Sequence, residues 1–335
     1  MSNILLYLLN KKTSTMKNLF NLKLSLVLFI AVISLSSCDN DDAVPAPETI
    51  AEIAAATPSL SNLVAALDRA GLVETLNGPG QFTVFAPTND AFQAFLTTNG
   101  FATLNDVPVD VLTQVLLNHV VLGDNVSTSL STGYVNTLAT YGDTELNLSM
   151  FVNTADGVKL NGVSNVELAD IDATNGVIHV VDAVIGLPTV VTFALADPTF
   201  EILVSALTRE TSFTFVNTLS TANGTNPAPF TVFAPTNTAF VNLLGELSLS
   251  SLADVPTDTL AAALAMHVVA GANVQSSALT NNMPIPTLGG NITANVTGGA
   301  TLTDSNARVS NIIFTNVQAA NGVVHVIDKV ILPPL

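Results

Sequence analysis

The sequence predicts an α+β protein built from two copies of one unit. The eleven residues FTVFAPTNDAF at Phe82 to Phe92 return as FTVFAPTNTAF at Phe230 to Phe240, with ten identities. A repeat of this kind decides the domain count, so it is considered before any other feature. Within each copy, segments with helical periodicity come first and short strand-like segments come later. This order favours helices packed against a sheet rather than regularly alternating strands and helices.

Two further landmarks recur in the same order. The motif NHVV begins at Asn118 and MHVV at Met266, and NGVIHVVD begins at Asn175 and NGVVHVID at Asn321. Because both the order and the approximate spacing are kept, the copies are interpreted as two domains of one fold. The junction between them, around Pro188, contains almost no flexible linker, so the domains are expected to abut.

The spacing between matching residues changes along the chain. It is 140 residues at the first predicted helix, 148 at the FTVFAPTN segment and 146 at the closing NG motif. The first change predicts an insertion of eight residues in the second copy, between about Glu210 and Phe230. Its Ser, Thr, Asn and Pro content is typical of a longer surface loop.

The first copy shows the predicted elements in order. Leu60, Leu63, Val64 and Leu67 have the i, i+3, i+4, i+7 spacing of a helix, and Gly71 is placed to end it. FTVFAP then alternates as a strand does, with the residue before its proline held in an extended conformation.

Two more helices follow this strand. Thr88 can cap a short helix that carries Phe92 and Phe95 toward the core. The clearest helix begins at Pro108, and its apolar face is predicted to end with His119. From about residue 135 the pattern changes to short strands separated by Asn-Gly and Asp-Gly pairs, which favour tight hairpins. The closing segment GVIHVVDAVIG is predicted to be a buried strand.

These motifs together resemble tandem fasciclin domains. The family pattern has an early TVFAPTN block, a central His followed by small apolar residues, and a closing NG-x-x-H-V-x-D block, and all three occur twice across roughly residues 47 to 335. The resemblance implies two domains, 47–187 and 188–335, each a β-sandwich wedge flanked by short helices. It also implies an extracellular adhesion module. Animal members carry a Tyr-His pair linked to receptor binding, but Asn118 and Met266 precede the histidines here, so that site is not transferred.

The first 38 residues resemble a bacterial lipoprotein signal peptide. Lys17 and Lys23 precede an apolar run, Leu24 to Leu35, that is too short to span a bilayer but suits a signal-peptide core. The run ends in LSSC, so Cys38 is predicted to carry the lipid, with Met1 or Met16 as the translation start. The alternative is an ordinary signal peptide with an unused thiol. Residues 39–46 form an acidic tether similar to the surface-export signal of Bacteroidetes lipoproteins.

The charge of the chain argues against nucleic-acid partners. The whole chain has a formal net charge of −17, and all 26 acidic residues but only five basic residues follow Cys38. A field of this sign repels phosphate backbones and anionic lipid surfaces. Its simplest role is to keep an anchored protein soluble, and calcium binding by the acidic surface is left open.

The four histidines form two equivalent pairs, His119 with His179 and His267 with His325. His119 and His267 are candidates for ligand binding, although an imidazole hydrogen-bonded to the backbone is the simpler expectation. Zinc sites take three or four protein ligands, and each copy offers two His and no Cys, so no metal and no cofactor is predicted.

Asp170, Asp172 and Asn175 superficially resemble the ligands of a calcium loop. The glycine falls one place late, no glutamate stands at the twelfth position, and the second copy has Asn316 and Gln318 in place of the two aspartates. The simpler expectation is a turn in which the Asn-Gly pairs supply left-handed backbone conformations.

No enzyme motif is found. After the leader, the sequence has no G-x-S-x-G elbow, no S-x-x-K motif, no phosphate-binding glycine loop and no dinucleotide fingerprint, so no catalytic residue is predicted. It also has no Trp, and Tyr134 and Tyr141 are the only tyrosines after the leader. An aromatic sugar platform is therefore disfavoured, whereas polar recognition of glycans is not.

The sequence therefore favours a binding protein anchored by lipid in the cell envelope, in the outer membrane and facing the exterior. Its expected role is adhesion to other cells, matrix or surfaces, with an extracellular or cell-surface protein or polysaccharide as partner. The binding surface is expected where the two copies differ, including the insertion after Glu210. The alternatives are an envelope accessory that captures polysaccharide and, second, a hydrolase.

Overall fold

The computed structural model describes residues 48–334, so the predicted signal peptide, Cys38 and the tether 39–46 lie outside the described residues. Short helices begin each repeat. The described α-helices are α1 (Ile50–Ala56), α2 (Ser61–Ala70), α3 (Val73–Asn77), α4 (Asn89–Thr98), α5 (Val109–Leu117), α6 (Val190–Ala196), α7 (Glu201–Leu207), α8 (Phe215–Leu219), α9 (Asn237–Glu246) and α10 (Thr257–Ala265). Among residues 48–334 no single helix is long and apolar enough to cross a membrane, although two bent pairs, α1 with Pro58–Ala70 and α6 with Pro198–Leu207, reach that length and composition together.

Strands dominate the later part of each repeat. The strands are β1 (Phe82–Pro87), β2 (Val120–Leu122), β3 (Gly133–Thr140), β4 (Asn147–Asn153), β5 (Lys159–Leu160), β6 (Ser164–Ala173), β7 (Gly176–Val181), β8 (Phe230–Pro235), β9 (Val268–Ala270), β10 (Met283–Thr287), β11 (Gly290–Asn295), β12 (Thr301–Thr303), β13 (Val309–Ala319) and β14 (Gly322–Ile327). The predicted order of helices before strands is confirmed in both copies, and so is the α+β class.

The seven strands of the first domain close into a barrel in the order β1 to β7. β1 pairs in parallel with β7, placing Phe85 beside His179, and the other neighbours are antiparallel. Contact between β2 and β3 is limited to one pair, Val121 with Thr137. In the second domain the order β10-β11-β12-β13-β14-β8-β9 gives an open sheet. The predicted β-sandwich wedge is thus one continuous sheet in each domain, closed only in the first.

The predicted helix signals are found with one difference. Gly71 ends α2 in a left-handed conformation with φ of 69°, and the Thr88 hydroxyl caps α4 by accepting from the Ala91 amide at 3.2 Å. The helix predicted from Pro108 is α5, but it ends at Leu117. His119 therefore lies at the junction of α5 and β2 rather than on the helix face, because a tight turn brings the chain back into the sheet.

The hairpin between β3 and β4 is longer than its counterpart between β10 and β11. Thr137 contacts Asn118 and Thr287 contacts Met266, so these two threonines correspond. Two residues earlier, Val135 pairs with Met150 while Ile285 pairs with Ile292, giving loops that differ by eight residues. The net loss of two residues predicted from the spacing therefore hides a larger deletion that is offset by small insertions on either side.

The eight-residue insertion of the second domain is not one loop. It is divided between the segments before and after α8, and the second segment passes through Asn223 toward β8. The Tyr141 hydroxyl in the long hairpin of the first domain lies 3.4 Å from the Asn223 side-chain oxygen. Two of the regions in which the copies differ therefore lie next to each other.

The two domains share a core, as the short junction predicted. The Tyr134 ring packs against Phe151 of its own domain and against Phe193 and Phe314 of the second, with ring centroids 5.0 to 5.6 Å apart. Its hydroxyl donates to the Asp197 carboxylate at 2.9 Å. Burial, with the charge of Asp197 in addition, raises the pKa of this phenol. An aromatic cluster of this size holds the domains as one body.

Candidate ligand-binding site

The central histidine of each domain is enclosed at the junction of helix and sheet. The His119 side chain is 2% exposed, its Nδ1 donates to the Val115 carbonyl at 2.7 Å, and its Nε2 accepts from the Ile185 amide at 2.8 Å. His267 makes the same two bonds in its own domain, at 2.7 and 3.0 Å. The amide that donates to Nε2 fixes the tautomer. Burial lowers the pKa of both imidazoles to about 4, so they are neutral at pH 7.

The second histidine of each domain lies within the sheet. The Nε2 atom of His179 donates to the Asn125 carbonyl at 3.0 Å, its Nδ1 accepts from the Asp170 amide at 3.2 Å, and its ring stacks on Phe85. His325 is bonded in the same way and stacks on Phe233. Burial lowers the pKa of His325.

Each of the four imidazoles thus uses both ring nitrogens on main-chain groups. Catalysis by a Ser-His pair needs a ring nitrogen free to accept the hydroxyl proton. Ligand binding by His119 or His267 would likewise need one of these buried hydrogen bonds to break. Their geometry instead ties α5 to the segment that follows β7, and α10 to the segment that follows β14.

The suggested calcium loop is a β-bulge. Asp170 lies in β6 with φ of 62°, and its carboxylate accepts from the Ser127 amide at 2.6 Å and from the Ser127 hydroxyl at 2.5 Å. These bonds lower the pKa of Asp170. Its counterpart Asn316 has φ of 61° and accepts from the Ser276 amide at 2.8 Å. An amide oxygen can replace the carboxylate because the role is to accept a backbone hydrogen bond.

The asparagine of each closing NG motif has a role that the sequence interpretation missed. Asn175 is 7% exposed, its side-chain oxygen accepts from the Ile50 amide at 2.9 Å, and its Nδ2 donates to the Leu76 carbonyl at 2.6 Å. Asn321 joins the start of α6 to the end of α8 in the same way. The repetition of the motif was visible in the sequence, but contacts across about 100 to 131 residues were not.

The glycine after this asparagine is required by a close approach of two strands. Gly176 has φ of 138°, and a Cβ atom built on it would lie 1.9 Å from the Phe82 carbonyl oxygen. A Cβ atom built on Gly322 would lie 2.2 Å from the Phe230 carbonyl oxygen. In both Asn-Gly pairs, Asn175-Gly176 and Asn321-Gly322, only the glycine has a positive φ, and the asparagine does not.

An open pocket lies in the wall of the first barrel, beside the single pair that joins β2 to β3. Its volume is about 420 Å³, within the range of small-molecule sites. Three asparagine amides line it, those of Asn125, Asn136 and Asn147, together with apolar atoms of Leu122, Leu138 and other side chains of β1 to β3. The lining includes no ionisable side chain. The hairpin between β3 and β4 supplies Leu138 and Asn147, so the pocket depends on the longer loop of the first domain.

The amides of this pocket keep unused hydrogen-bonding groups. The Asn136 side chain is exposed and makes no hydrogen bond within residues 48–334. Asn147 donates to the Thr137 carbonyl at 2.8 Å, and Asn125 donates to Thr83 and to the Leu122 carbonyl. Each of these two keeps its side-chain oxygen free as an acceptor. The pocket therefore offers both donors and acceptors around apolar walls.

The second domain contains a smaller and more apolar cavity between α6, α7 and α8. Its volume is about 90 Å³, and Leu195, Val204 and Val216 lie on its walls. The corresponding residue to Leu195 in the first domain is Ala55. With Thr208 and the fully bonded His267 as its polar members, this cavity lacks groups that could orient a ligand.

In the part of the chain that the structure describes, acidic side chains do not assemble into a cation site. Asp90, Glu167 and Asp182 border a shallow depression, but the Asp182 carboxylate already accepts two hydrogen bonds from Asn165. Within residues 48–334, no three His, Cys, Asp or Glu side chains are placed so that they could hold a metal ion.

Comparison with known proteins decides the family. The sequence matches the fasciclin domain over residues 58–188 and again over residues 198–333, which together cover most of the chain. The protein belongs to the fasciclin domain family. This confirms the resemblance recognised from the repeated motifs.

Relatives of this fasciclin pair occur in bacteria and animals. Protein sll1483 of Synechocystis sp. is 43% identical over 138 residues, covering 41% of this chain and 72% of the relative. Transforming growth factor-beta-induced protein ig-h3 of Sus scrofa is 28% identical over 261 residues, covering 77% of this chain but 35% of the relative. The chain thus spans about a third of the length of the pig protein.

A solved fasciclin structure shows the same domain-pair fold. It is a FAS1 domain pair from the insect cell adhesion molecule fasciclin I, with a TM-score of 0.51 and 19% identity, covering 82% of this chain and 97% of the insect chain. The insect protein is a cell adhesion molecule, and nothing in these similarities indicates catalysis.

Proposed function

We propose that this fasciclin pair is a cell-surface adhesion protein held on a membrane by a lipid at Cys38. The observation that carries the adhesive role is the pair of fasciclin domains joined through a common aromatic core. Two domains fixed in this way can transmit force between a membrane anchor and a partner without a flexible hinge between them. The partner is an extracellular or cell-surface protein or polysaccharide.

The lipid anchor is supported by the leader sequence. Cys38 is the only cysteine of the chain and follows an apolar run and two serines, so a disulfide cannot explain it. Acyl chains contribute about 0.8 kcal/mol for each buried methylene, which makes more than one chain a firm anchor. We place the protein in the outer membrane, facing the exterior, because acidic residues follow the cysteine directly.

The anchor is tested by replacing Cys38 with Ala and fractionating the cells. The expected result is release of the variant from the detergent-extracted membrane fraction, while a Ser37→Ala control stays there. A Cys38→Ala protein that remains in the membrane would contradict the lipid anchor, whatever the adhesion assays show.

Adhesion is tested by deleting the protein and measuring attachment to surfaces and to sister cells. Attachment should fall and should return when the wild-type chain is expressed again. Expression of the Cys38→Ala chain should not restore it, because an unanchored adhesin cannot hold the cell. Unchanged attachment in the deletion strain would overturn the proposed function.

We propose no catalytic activity. A hydrolase would need a nucleophile beside an accessible imidazole, and each imidazole here is bonded on both nitrogens to the main chain. The remaining alternative, capture of envelope polysaccharide, is favoured by one specific feature, the amide-lined pocket of the first barrel.

A further inference from the structure

We propose that the amide-lined pocket beside the β2–β3 contact binds a neutral saccharide. This inference rests on the proposed adhesive function for its biological use, since the saccharide would belong to the surface to which the cell attaches. It assigns recognition to the first domain, on the side where β1, β2 and β3 meet the long hairpin.

The charge of the pocket selects for a neutral ligand. The lining contains apolar side chains, threonines and asparagines, without any acidic or basic group. The surrounding protein is strongly acidic, with a formal net charge of −17 for the chain. An anionic ligand would be repelled by that field and would find no cation in the pocket to compensate. A cationic ligand would find no carboxylate there.

The hydrogen-bonding groups fit a polyhydroxylated ligand. A sugar hydroxyl both donates and accepts, and an asparagine amide offers both functions from one side chain. Asn136 has its whole amide free, while Asn125 and Asn147 hold their NH₂ groups in place on neighbouring carbonyls and keep their side-chain oxygens free as acceptors. The anchored amides are therefore oriented before a ligand arrives, which reduces the entropic cost of binding.

The apolar part of the pocket fits the C–H face of a sugar ring. Leu122 lines the pocket and is 64% exposed, and Leu138 is half-buried beside it. A saccharide presents C–H groups and hydroxyls side by side. A surface that places exposed aliphatic side chains beside free amides can contact both kinds of group. This arrangement needs no aromatic platform, in agreement with the absence of Trp from the sequence.

The second domain has lost the same groups. By the correspondence of Thr137 with Thr287, Asn136 aligns with Pro286. By the correspondence of His119 with His267, Leu122 aligns with Ala270. The hairpin that supplies Asn147 is shortened by eight residues. The equivalent of Asn125 is Asn273, whose side-chain oxygen is not free, because it accepts from the Gln318 Nε2 at 3.3 Å. The pocket is therefore a property of one domain and not of the fasciclin fold in general.

A saccharide fits better than an extended peptide. Peptides that add to a sheet use a row of unpaired main-chain groups along an edge. The first sheet closes into a barrel, so it presents no complete edge strand at this position. The groups that converge on the pocket are side-chain amides around a depression.

The test uses matched pairs of variants in the full chain, purified in detergent. Asn136→Ala with Leu122→Ser removes the free amide and the exposed rim of the pocket. Asn291→Ala with Leu288→Ser removes an exposed strand asparagine and an exposed leucine, 53% exposed, from the second domain. The probe is an array of neutral oligosaccharides of glucose, mannose and galactose, followed by titration of the best binder. A panel of extended peptides serves as the competing ligand class.

The expected result is binding of a subset of the neutral oligosaccharides. The pocket variant should bind at least about tenfold more weakly, as expected for loss of a hydrogen bond and an apolar contact, while the second-domain control binds like wild type. Circular dichroism should show that both variants are folded, because none of the four side chains is buried.

Three outcomes would overturn the inference: no neutral saccharide binds, the pocket variant binds as tightly as wild type, or pocket-dependent binding is found for peptides alone. Attachment assays separate this from the proposed function. If deletion abolishes attachment but the pocket variant restores it fully, adhesion stands and the pocket inference fails. If deletion leaves attachment unchanged, the adhesive function fails independently of the array.

Discussion

The first domain closes its seven strands into a barrel, whereas the second leaves them as an open sheet, although both keep the same motifs and the same buried bonds. The shared parts are the parallel strand pair, the central histidine and the closing asparagine, which hold the helices on the sheet. The different parts are the hairpin after β3 and the insertion around α8. In this protein the interior is duplicated and the surface has diverged, so recognition is expected on the diverged parts.

The largest effect is expected from the closing glycines, which belong to the shared interior. Replacing Gly176 with Ala should destabilise the first domain by more than about 4 kcal/mol, because the new Cβ would meet the Phe82 carbonyl in a strand that cannot move away. Gly322→Ala should do the same to the second domain. Thermal unfolding followed by calorimetry measures both.

Gly186→Ala is the control for this comparison, since a Cβ at that position meets no atom within 4 Å. It should change stability by less than about 0.5 kcal/mol. If Gly176→Ala unfolds like the wild type, the close approach of β1 and β7 is not a constraint on this residue.

The next effect concerns the contact between the domains. Tyr134→Ala should cost about 3 kcal/mol or more, because it empties an aromatic site packed against Phe193 and Phe314. The domains should then unfold in two separate transitions. Tyr134→Phe keeps the ring and loses only the hydrogen bond to Asp197, so its cost should be about 1 kcal/mol. A single unchanged transition for Tyr134→Ala would show that the domains are not coupled through this residue.

A third prediction concerns how the stability of each domain depends on pH through its central histidine, His119 or His267. Their folded pKa of about 4 lies below the ordinary value of 6.5, so the unfolded chain takes up the proton first as the pH falls. Stability should therefore decrease between pH 6.5 and pH 4, by about 3 kcal/mol for each imidazole at pH 4, and this contribution should level off below pH 4.

Urea unfolding at a series of pH values measures this slope. His119→Gln should lower stability at pH 7 and make the pH dependence of the first domain shallower, leaving that of the second domain unchanged. His267→Gln should have the converse effect. An unaltered slope in either variant would mean that the imidazole is not buried in its neutral form.

A smaller effect than that of the glycines, Tyr134→Ala or the histidines is expected at the closing asparagines. Asn175→Ala leaves the Ile50 amide and the Leu76 carbonyl without their buried partner and should cost about 2 kcal/mol. Asn321→Ala should cost a similar amount in the second domain. Hydrogen exchange is the sharper measurement, since protection should be lost first at the start of α1 in one variant and of α6 in the other. Asn291→Ala, on an exposed strand position, is the control and should leave exchange unchanged.

Local features of the fold were predictable from the sequence. The strand FTVFAP, the Thr88 cap and the Gly71 helix end follow from residues that are neighbours in the chain, and the structure confirms all three. The prediction that His119 lies on the face of a helix was wrong. Helix α5 ends at Leu117, and a tight turn then brings the chain back into the sheet. Ends of helices depend on such tertiary contacts more than on periodicity.

The candidate pocket was not predictable in this way. The sequence interpretation expected the binding surface where the copies differ, but the spacing of the motifs showed a net loss of only two residues in the second copy. The shortening of the hairpin by eight residues became visible only from the strand pairs Val135 with Met150 and Ile285 with Ile292. Compensating insertions cannot be separated by counting residues between landmarks.

Repetition in the chain was enough to establish two fasciclin domains, their α+β class and their order, because a duplicated sequence keeps the pattern of buried residues that specifies each strand and helix. The leader, which is not part of the repeat, separately predicted the lipid anchor at Cys38. The tertiary structure was needed to show that both ring nitrogens of each histidine are occupied, that Tyr134 joins the domains, and that three asparagines line one pocket. These facts join residues far apart in the chain, and no local periodicity records which distant groups meet.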